Sequence, residues 1–150
     1  MRPYYENQRD LTNENSVAAA LKEKGLDFVK MPVSYRLDFA MLRKGRVFGF
    51  AEVKTRNNRH DKYPTLMISL GKVMAARRLS EVTGMRSILL VKFLDGLYWC
   101  DFASPFDLKI GGRTDRQDDA DIEPVAHFPM KVFRMFGKSP AESHPLEKDT

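Results

Sequence analysis

Two oppositely charged residues lie two positions apart in a segment with the composition of a β-strand. Glu52 and Lys54 fall within Val47 to Thr55, so their side chains leave the same strand face with Cα atoms about 6.6–6.8 Å apart. Asp38 lies in the preceding segment, Val33 to Leu42, where apolar and polar residues alternate with period two. Two carboxylates that meet form an oxygen-rich site for Mg²⁺. Together with a nearby lysine, such a metal site can activate a water molecule that attacks a phosphodiester.

The turn between these two segments decides whether Asp38 shares a face with Glu52. A two-residue turn at 44–45 would point Asp38 away from Glu52. A three-residue loop at 43–45 would instead put Asp38 opposite Phe50 and on the face of Glu52. The glycine at the third loop position favours the three-residue loop, because that position takes a left-handed conformation.

The Glu52 and Lys54 pair also has a simpler interpretation as a solvated ion pair, worth less than about 1 kcal/mol. Strict alternation would place Phe48 and Phe50 on this same face, which would be unusual for a face that only meets solvent. The pattern alone leaves both interpretations open.

The remaining segments predict the elements that must position these side chains. Asn13 to Lys24 has the spacing of a helix that ends at Gly25, and Leu26 to Lys30 has that of a short strand. Ser69 caps a predicted helix to Thr83, with Gly84 behind it.

Arg86 to Leu94 is apolar on consecutive positions, as in a strand that is covered on both faces. Asp95-Gly96 predicts a hairpin into residues 97–102. We expect Gly111-Gly112 and the acidic residues that follow to form a long exposed loop, and Val125 to Phe136 to add a strand broken at Pro129. This order predicts an α/β fold with a central mixed β-sheet flanked by helices.

Length and composition predict an ordinary globular protein. The 150 residues, 43% of them hydrophobic, fit one domain, which we expect to span 1–137, with a flexible tail at 138–150. The single cysteine, Cys100, excludes an intramolecular disulfide and fits a reducing compartment. No apolar run is long enough to cross a membrane, and the N-terminus lacks the apolar core of a signal peptide. We therefore expect a soluble, cytoplasmic protein.

The charge is unevenly distributed. The net charge is +5, and the segment from Arg43 to Lys62 alone carries seven basic residues against two acidic ones. Residues 113–123 carry the opposite excess, with five acidic residues against two arginines. Such a basic segment favours a nucleic-acid partner, because each neutralised phosphate releases counterions; a solvated basic face is the alternative.

An acidic residue in one strand of a hairpin followed by E-x-K in the next, Asp38 … Glu52-Val53-Lys54, resembles the core of the PD-(D/E)xK nuclease superfamily. The resemblance runs from about Thr12 to Phe93. It implies the αβββαβ restriction-endonuclease-like core, here with extra C-terminal strands. Leu37 stands where many members have proline.

The resemblance also implies a function. Asp38, Glu52 and the Val53 carbonyl would hold Mg²⁺, with Mn²⁺ able to replace it. Lys54 would serve the attacking water, so that a DNA endonuclease leaves a 5′-phosphate. Glu14 matches a helical glutamate that assists the metal in many members, although the helix dipole also favours an acid there.

Further candidates come from the second predicted helix and from the basic segment. Lys72 shares an apolar helical face with Ala76 and Leu79, either beside the site, as in many members of the superfamily, or with its ammonium extended to solvent. The predicted contacts to nucleic acid are Arg43, Lys44, Arg56, Arg59 and Lys62.

Other chemistries find little support in the sequence. The three histidines lack metal-ligand spacing, and Cys100 lies among strand aromatics, where a core thiol is expected. Two other function classes compete with a nuclease. One is a nucleic-acid-binding module that keeps this fold without cutting, and the other is an interaction protein for an acidic partner. Small members of the superfamily often dimerise, so a homodimer is also expected, and a chain of this size suits a phage or mobile element.

Overall fold

The computed structural model describes residues 17, 19, 21–23, 25–31, 37–112 and 122–136. Near the start, Val17, Ala19, Leu21 and Lys22 have helical backbone. Gly25, with a φ of 83°, ends this helical segment, and its N–H donates to the Lys22 carbonyl at 3.0 Å. The helix and its glycine stop were both predicted from the sequence.

A six-stranded mixed sheet forms the centre of the fold, in the order β1-β2-β3-β5-β6-β9. Its strands are β1 (Asp27–Lys30), β2 (Phe39–Arg43), β3 (Arg46–Thr55), β5 (Arg86–Phe93), β6 (Gly96–Asp101) and β9 (Arg134–Met135). Strands β3 and β5 run parallel, and the other neighbours are antiparallel. The α/β fold and its mixed central sheet are as predicted.

Helix α1 (Leu70–Thr83) connects the two parallel strands. The Ser69 hydroxyl accepts the Lys72 N–H at 3.3 Å at its start, and Gly84 ends it in the left-handed conformation with a φ of 73°. Both ends therefore match the predicted capping residues, because each rests on the local preference of one residue type.

A second sheet of three strands, in the order β4-β8-β7, was not predicted. It consists of β4 (Thr65–Ser69), β7 (Asp107–Gly112) and β8 (Ile122–Pro129), and a short 3₁₀ helix (Met130–Val132) follows. The expectation that Gly111-Gly112 begins a long loop was wrong, since both residues end β7. Pairing between segments this far apart in the chain leaves little local signal.

The central sheet is buried on both faces. One apolar cluster, which includes Val17 and Leu21 of the N-terminal helical segment, packs on the face that presents Ala51 and Val53 of β3. The opposite face packs against α1 and the second sheet. Because side chains alternate along a strand, Glu52 and Lys54 project to this second face, towards α1.

The turn between β2 and β3 differs from the predicted three-residue loop. Arg43 pairs with Arg46, so the turn has two residues, Lys44 and Gly45, with φ of 51° and 76°. Positive φ at both positions is the geometry that a tight hairpin requires. Gly45 is left-handed as expected, but the loop length was wrong.

A β-bulge restores the register that the two-residue turn alone would have lost. The pairing shifts between Met41 and Leu42, and Phe48 is the extra residue on β3. Phe39 consequently pairs with Ala51, so that Asp38 comes level with Glu52 rather than with Phe50. The predicted common face of Asp38 and Glu52 is therefore confirmed, but it results from a two-residue turn with a bulge and not from a three-residue loop.

Gly49, next to the bulge, allows a close approach between strands. A Cβ at this position would lie 2.7 Å from the Arg86 carbonyl oxygen and 2.6 Å from the Met41 side chain. Such distances exclude any larger residue unless the backbone moves. The glycine thus lets β5 begin directly beside the bulged part of β3.

Two local predictions need a further correction. The turn between β5 and β6 contains Leu94 and Asp95, because Phe93 pairs with Gly96; the predicted hairpin exists with its turn one residue earlier. Leu37 packs in the cluster on the α1 side, away from Phe39 and Met41. The expected alternation therefore fails at the bend before β2.

Candidate active site

Asp38 lies at the bend that precedes β2, with only 2% of its surface exposed. Its Oδ2 accepts the backbone N–H of Val53 at 3.0 Å. The N–H and C=O of one strand residue point to the same neighbour, so the Val53 carbonyl faces this same edge of β3. One backbone hydrogen bond thus joins the acidic residue to the centre of the E-x-K segment.

Glu52 is the second buried carboxylate, also 2% exposed. Its Oε2 lies 3.3 Å from Lys54 Nζ, and its Oε1 lies 3.1 Å from Lys72 Nζ. The contact between Oε1 and Lys72 is a close ion pair of a buried carboxylate with a nearly buried ammonium. Side chains from β3 and the first turn of α1 therefore meet at one carboxylate.

Burial is the main reason why the pKa of Glu52 lies above its usual range. The negative charge of Asp38 raises this pKa further, whereas Lys54 and Lys72 act in the opposite direction. A buried glutamate whose pKa is raised by burial and by a neighbouring carboxylate is an arrangement that a divalent cation would stabilise.

The donor set fits Mg²⁺ or Mn²⁺. Asp38 and Glu52 supply carboxylate oxygens and Val53 adds a carbonyl, all of which are hard oxygen ligands. Glu14, the fourth predicted ligand, lies outside the described residues.

Lys54 and Lys72 differ in their access to solvent. The Lys54 side chain is 33% exposed and that of Lys72 12%. Lys72 therefore points into the molecule beside Glu52, which is one of the two positions left open by the sequence. The Lys54 ammonium also contacts Glu52 but is partly accessible to solvent.

The five predicted nucleic-acid contacts fall at two ends of β3. Arg43 and Lys44 lie at the hairpin tip, about 20 Å or more from Glu52 at the usual rise of a strand. Residues 56–62 follow the C-terminal end of β3, the end that carries the site.

The basic residues after β3 differ in how far they are available to a phosphate. Burial lowers the pKa of Arg56, and its guanidinium donates to the carbonyls of Thr55 and Met67. Arg56 thus connects β3 to the second sheet. Lys62 is exposed, with its ammonium 5.4 Å from the ring centre of Tyr63.

A second acidic cluster, which the sequence did not indicate, lies in the loop after β3. Potential ligand atoms of His60, Asp61 and Asp95 lie within 4.8 Å of one another. His60 contacts Asp95 Oδ2 through Nδ1 at 2.6 Å and stacks on Tyr98 with ring centres 4.4 Å apart. Arg59 lies 3.4 Å from both Asp61 and Asp95, so a cation already occupies this cluster.

Sequence reasoning missed Lys30, the last residue of β1. Its Nζ lies 3.6 Å from Asp38 Oδ1. The strand itself was predicted, but its pairing with β2, which aligns Lys30 with Phe39, was not. No spacing in the sequence relates residue 30 to residue 38, so only the pairing register identifies it.

Comparison with known proteins identifies a family and a similar fold. The family model described as "Phage putative PDDEXK endonuclease" matches residues 1–136. A search of curated proteins gave no match. Among solved structures, the Holliday junction resolvase Hjc of the archaeal hyperthermophile Archaeoglobus fulgidus superposes with a TM-score of 0.51 at 13% identity, covering 61% of this chain and 76% of the resolvase. At this identity the likeness concerns the fold.

Proposed function

Because this chain belongs to the phage PDDEXK endonuclease family, we propose that it is a metal-dependent endonuclease that hydrolyses phosphodiester bonds of DNA. The observation that carries the proposal is the meeting of two buried carboxylates, Asp38 and Glu52, beside Lys54. Two buried carboxylates side by side serve no folding purpose by themselves, because burying a carboxylate costs free energy.

Asp38, Glu52 and the Val53 carbonyl are the residues that would hold Mg²⁺, with Mn²⁺ as a substitute. A bound divalent cation polarises a phosphoryl oxygen and lowers the pKa of water. The chain's own contribution is to keep the oxygen ligands in place: the Val53 N–H orients Asp38, and β3 fixes Glu52.

Lys54 is the proposed partner of the attacking water. Its ammonium is anchored to Glu52 at 3.3 Å and is still one-third exposed, so it can reach a water or a phosphate oxygen at the edge of the pocket. There it would orient the nucleophile and neutralise the charge that develops on the phosphate. Hydrolysis would leave a 5′-phosphate.

Lys72 is proposed as a second basic group of the same site. It contacts Oε1 of Glu52, whereas Lys54 contacts Oε2, and it is nearly buried. In that position it offsets part of the charge of Glu52 and keeps the carboxylate directed towards Asp38. Its main effect would be on the position of Glu52.

DNA as the substrate follows from the family and from the basic residues 56–62 beside the site. The structural neighbour is named a Holliday junction resolvase, which makes branched DNA a substrate to test beside linear and plasmid DNA. Action in the cytoplasm of the host and assembly as a homodimer remain predictions. The helices among the described residues are too short or too polar to span a bilayer.

The deciding experiment is cleavage of plasmid and four-way-junction DNA in Mg²⁺, in Mn²⁺ and in EDTA. We expect the wild type to cleave with either metal and not in EDTA. Lys54→Ala should lose at least about 100-fold in rate, whereas Lys109→Ala, an exposed lysine of β7, should cleave normally.

Each result has a definite meaning. DNA binding without cleavage by the wild type would favour a non-catalytic binding module of the same fold. Cleavage by Lys54→Ala at the wild-type rate would reject the proposed role of Lys54.

A further inference from the structure

The lysine that contacts Asp38 comes from the edge of the central sheet. Lys30 ends β1, the first strand in the sheet order, and its side chain is 36% exposed. Its Nζ lies 3.6 Å from Asp38 Oδ1 and 5.4 Å from the ring centre of Phe39. The ammonium therefore lies at the edge of the sheet, beside Asp38.

The two oxygens of Asp38 have different kinds of partner. Oδ2 accepts the Val53 N–H at 3.0 Å, and this donor is held by the strand backbone. Oδ1 faces the Lys30 ammonium, which is carried by a flexible stem of four methylene groups. A cation that enters the pocket would therefore reach Asp38 through Oδ1, the oxygen whose partner is able to move.

Among the described residues, positive charges outnumber negative ones around Asp38 and Glu52. Two carboxylates, Asp38 and Glu52, face three ammonium groups, those of Lys30, Lys54 and Lys72. Lys54 and Lys72 both contact Glu52, whereas Lys30 contacts Asp38. Of the three side chains Lys30 is also the most exposed.

We propose that Lys30 is a phosphate-positioning residue that first acts as the counter-ion of Asp38. A divalent cation at Oδ1 would repel the Lys30 ammonium, which would then turn towards a phosphate oxygen of a substrate bound beside that cation. The lysine would thus weaken metal binding in the free protein and strengthen DNA binding in the metal-loaded one. This inference rests on the proposed nuclease function.

The first test is the affinity of Mn²⁺ for the full chain without DNA, measured by isothermal titration calorimetry. Lys30→Met keeps the length of the side chain and removes its charge, so Mn²⁺ should bind about three- to tenfold more tightly than to the wild type. Lys109→Met is the matched control, because Lys109 is an exposed lysine on β7, the edge strand of the other sheet. Its Mn²⁺ affinity should equal that of the wild type.

The second test measures cleavage with Mn²⁺ held at saturation. Lys30→Met should raise the KM for DNA about three- to tenfold and flatten its salt dependence by about one phosphate contact. Lys30→Arg keeps the charge and should restore the wild-type KM. A purely structural role for Lys30 would lower metal affinity and DNA affinity together; the proposal requires opposite signs.

The outcomes separate this inference from the function on which it rests. Unchanged or weaker Mn²⁺ binding by Lys30→Met, in a protein whose wild type cleaves, overturns the role of Lys30 and leaves the nuclease intact. A wild type that does not cleave rejects the nuclease and with it the phosphate-positioning role, even where Lys30→Met still binds Mn²⁺ more tightly.

Discussion

Two acidic clusters lie near the C-terminal end of β3, and they differ in how their charges are satisfied. In the first, Asp38 and Glu52 are 2% exposed, and burial raises the pKa of Glu52. In the second, His60, Asp61 and Asp95 lie close enough to bind an ion, but Arg59 contacts both carboxylates. The distance between ligand atoms alone would favour the second cluster.

Desolvation and hydrogen bonding reverse that ranking. Although desolvation raises the pKa of Asp95, the backbone and side-chain hydrogen bonds from His60 outweigh it, and the pKa lies below its usual range. Its negative charge is therefore already stabilised by the protein. Glu52 is in the opposite state, because its charge is destabilised where it lies. A site that needs a cation is recognised by that difference.

The largest expected effect is on the cleavage rate, when one carboxylate of each cluster is replaced in turn. Glu52→Gln removes a proposed metal ligand at constant shape and should lower the cleavage rate by at least about 100-fold. Asp95→Asn should stay within about twofold of the wild type, because its charge serves the loop. Initial rates of plasmid nicking measure both, and similar losses in the two variants would remove the distinction between the clusters.

Thermal stabilisation by metal gives a second comparison that does not depend on cleavage. At 100 times its dissociation constant, a ligand stabilises the folded state by about 2.7 kcal/mol, so Mn²⁺ should raise the Tm of the wild type by several degrees. Asp38→Asn keeps an acceptor for the Val53 N–H and should lose this rise. Asp61→Asn, in the second cluster, should keep it.

Differential scanning fluorimetry in Mn²⁺ and in EDTA measures the shifts. Asparagine is the replacement for Asp38 because alanine would leave the buried Val53 N–H without a partner. That loss would lower the free energy of unfolding by about 1–3 kcal/mol. A rise that disappears in Asp61→Asn and persists in Asp38→Asn would assign the metal to the other cluster.

The smallest expected effect is the acid sensitivity of the second cluster. Because folding lowers the pKa of Asp95, its charge contributes stability above the unfolded value of about 3.9, and this contribution is lost as pH falls through the folded pKa. Asp95→Asn should therefore lower the Tm by a few degrees at most near pH 6. The difference in Tm between the two proteins should shrink as the pH falls through the folded pKa.

Thermal melts from pH 3 to pH 7 check this sign. A difference in Tm that grows towards acid would show that the charge of Asp95 destabilises the loop. The same melts on Asp61→Asn give a control from the more exposed part of the cluster.

Features that depend on a few neighbouring residues were predicted correctly. Ser69 and Gly84 bound α1 because a hydroxyl accepts a helix N–H and glycine adopts a positive φ. The run from Ile88 to Val91 is fully buried, as its consecutive apolar residues indicate. The position of Lys72, in contrast, was left open by the sequence, which was equally compatible with a solvent-directed ammonium; in the structure it lies beside Glu52.

The sequence by itself determined which residue types carry the chemistry, because E-x-K in a strand puts Glu52 and Lys54 on one face whatever surrounds it. Only the tertiary structure decided which charges join them. A single extra residue, Phe48, moves the register of β2 by one position and brings Asp38 level with Glu52. Pairing of β1 with β2 adds Lys30. Register depends on packing across the whole sheet, because a shift by one residue reverses every side chain and leaves the local sequence unchanged.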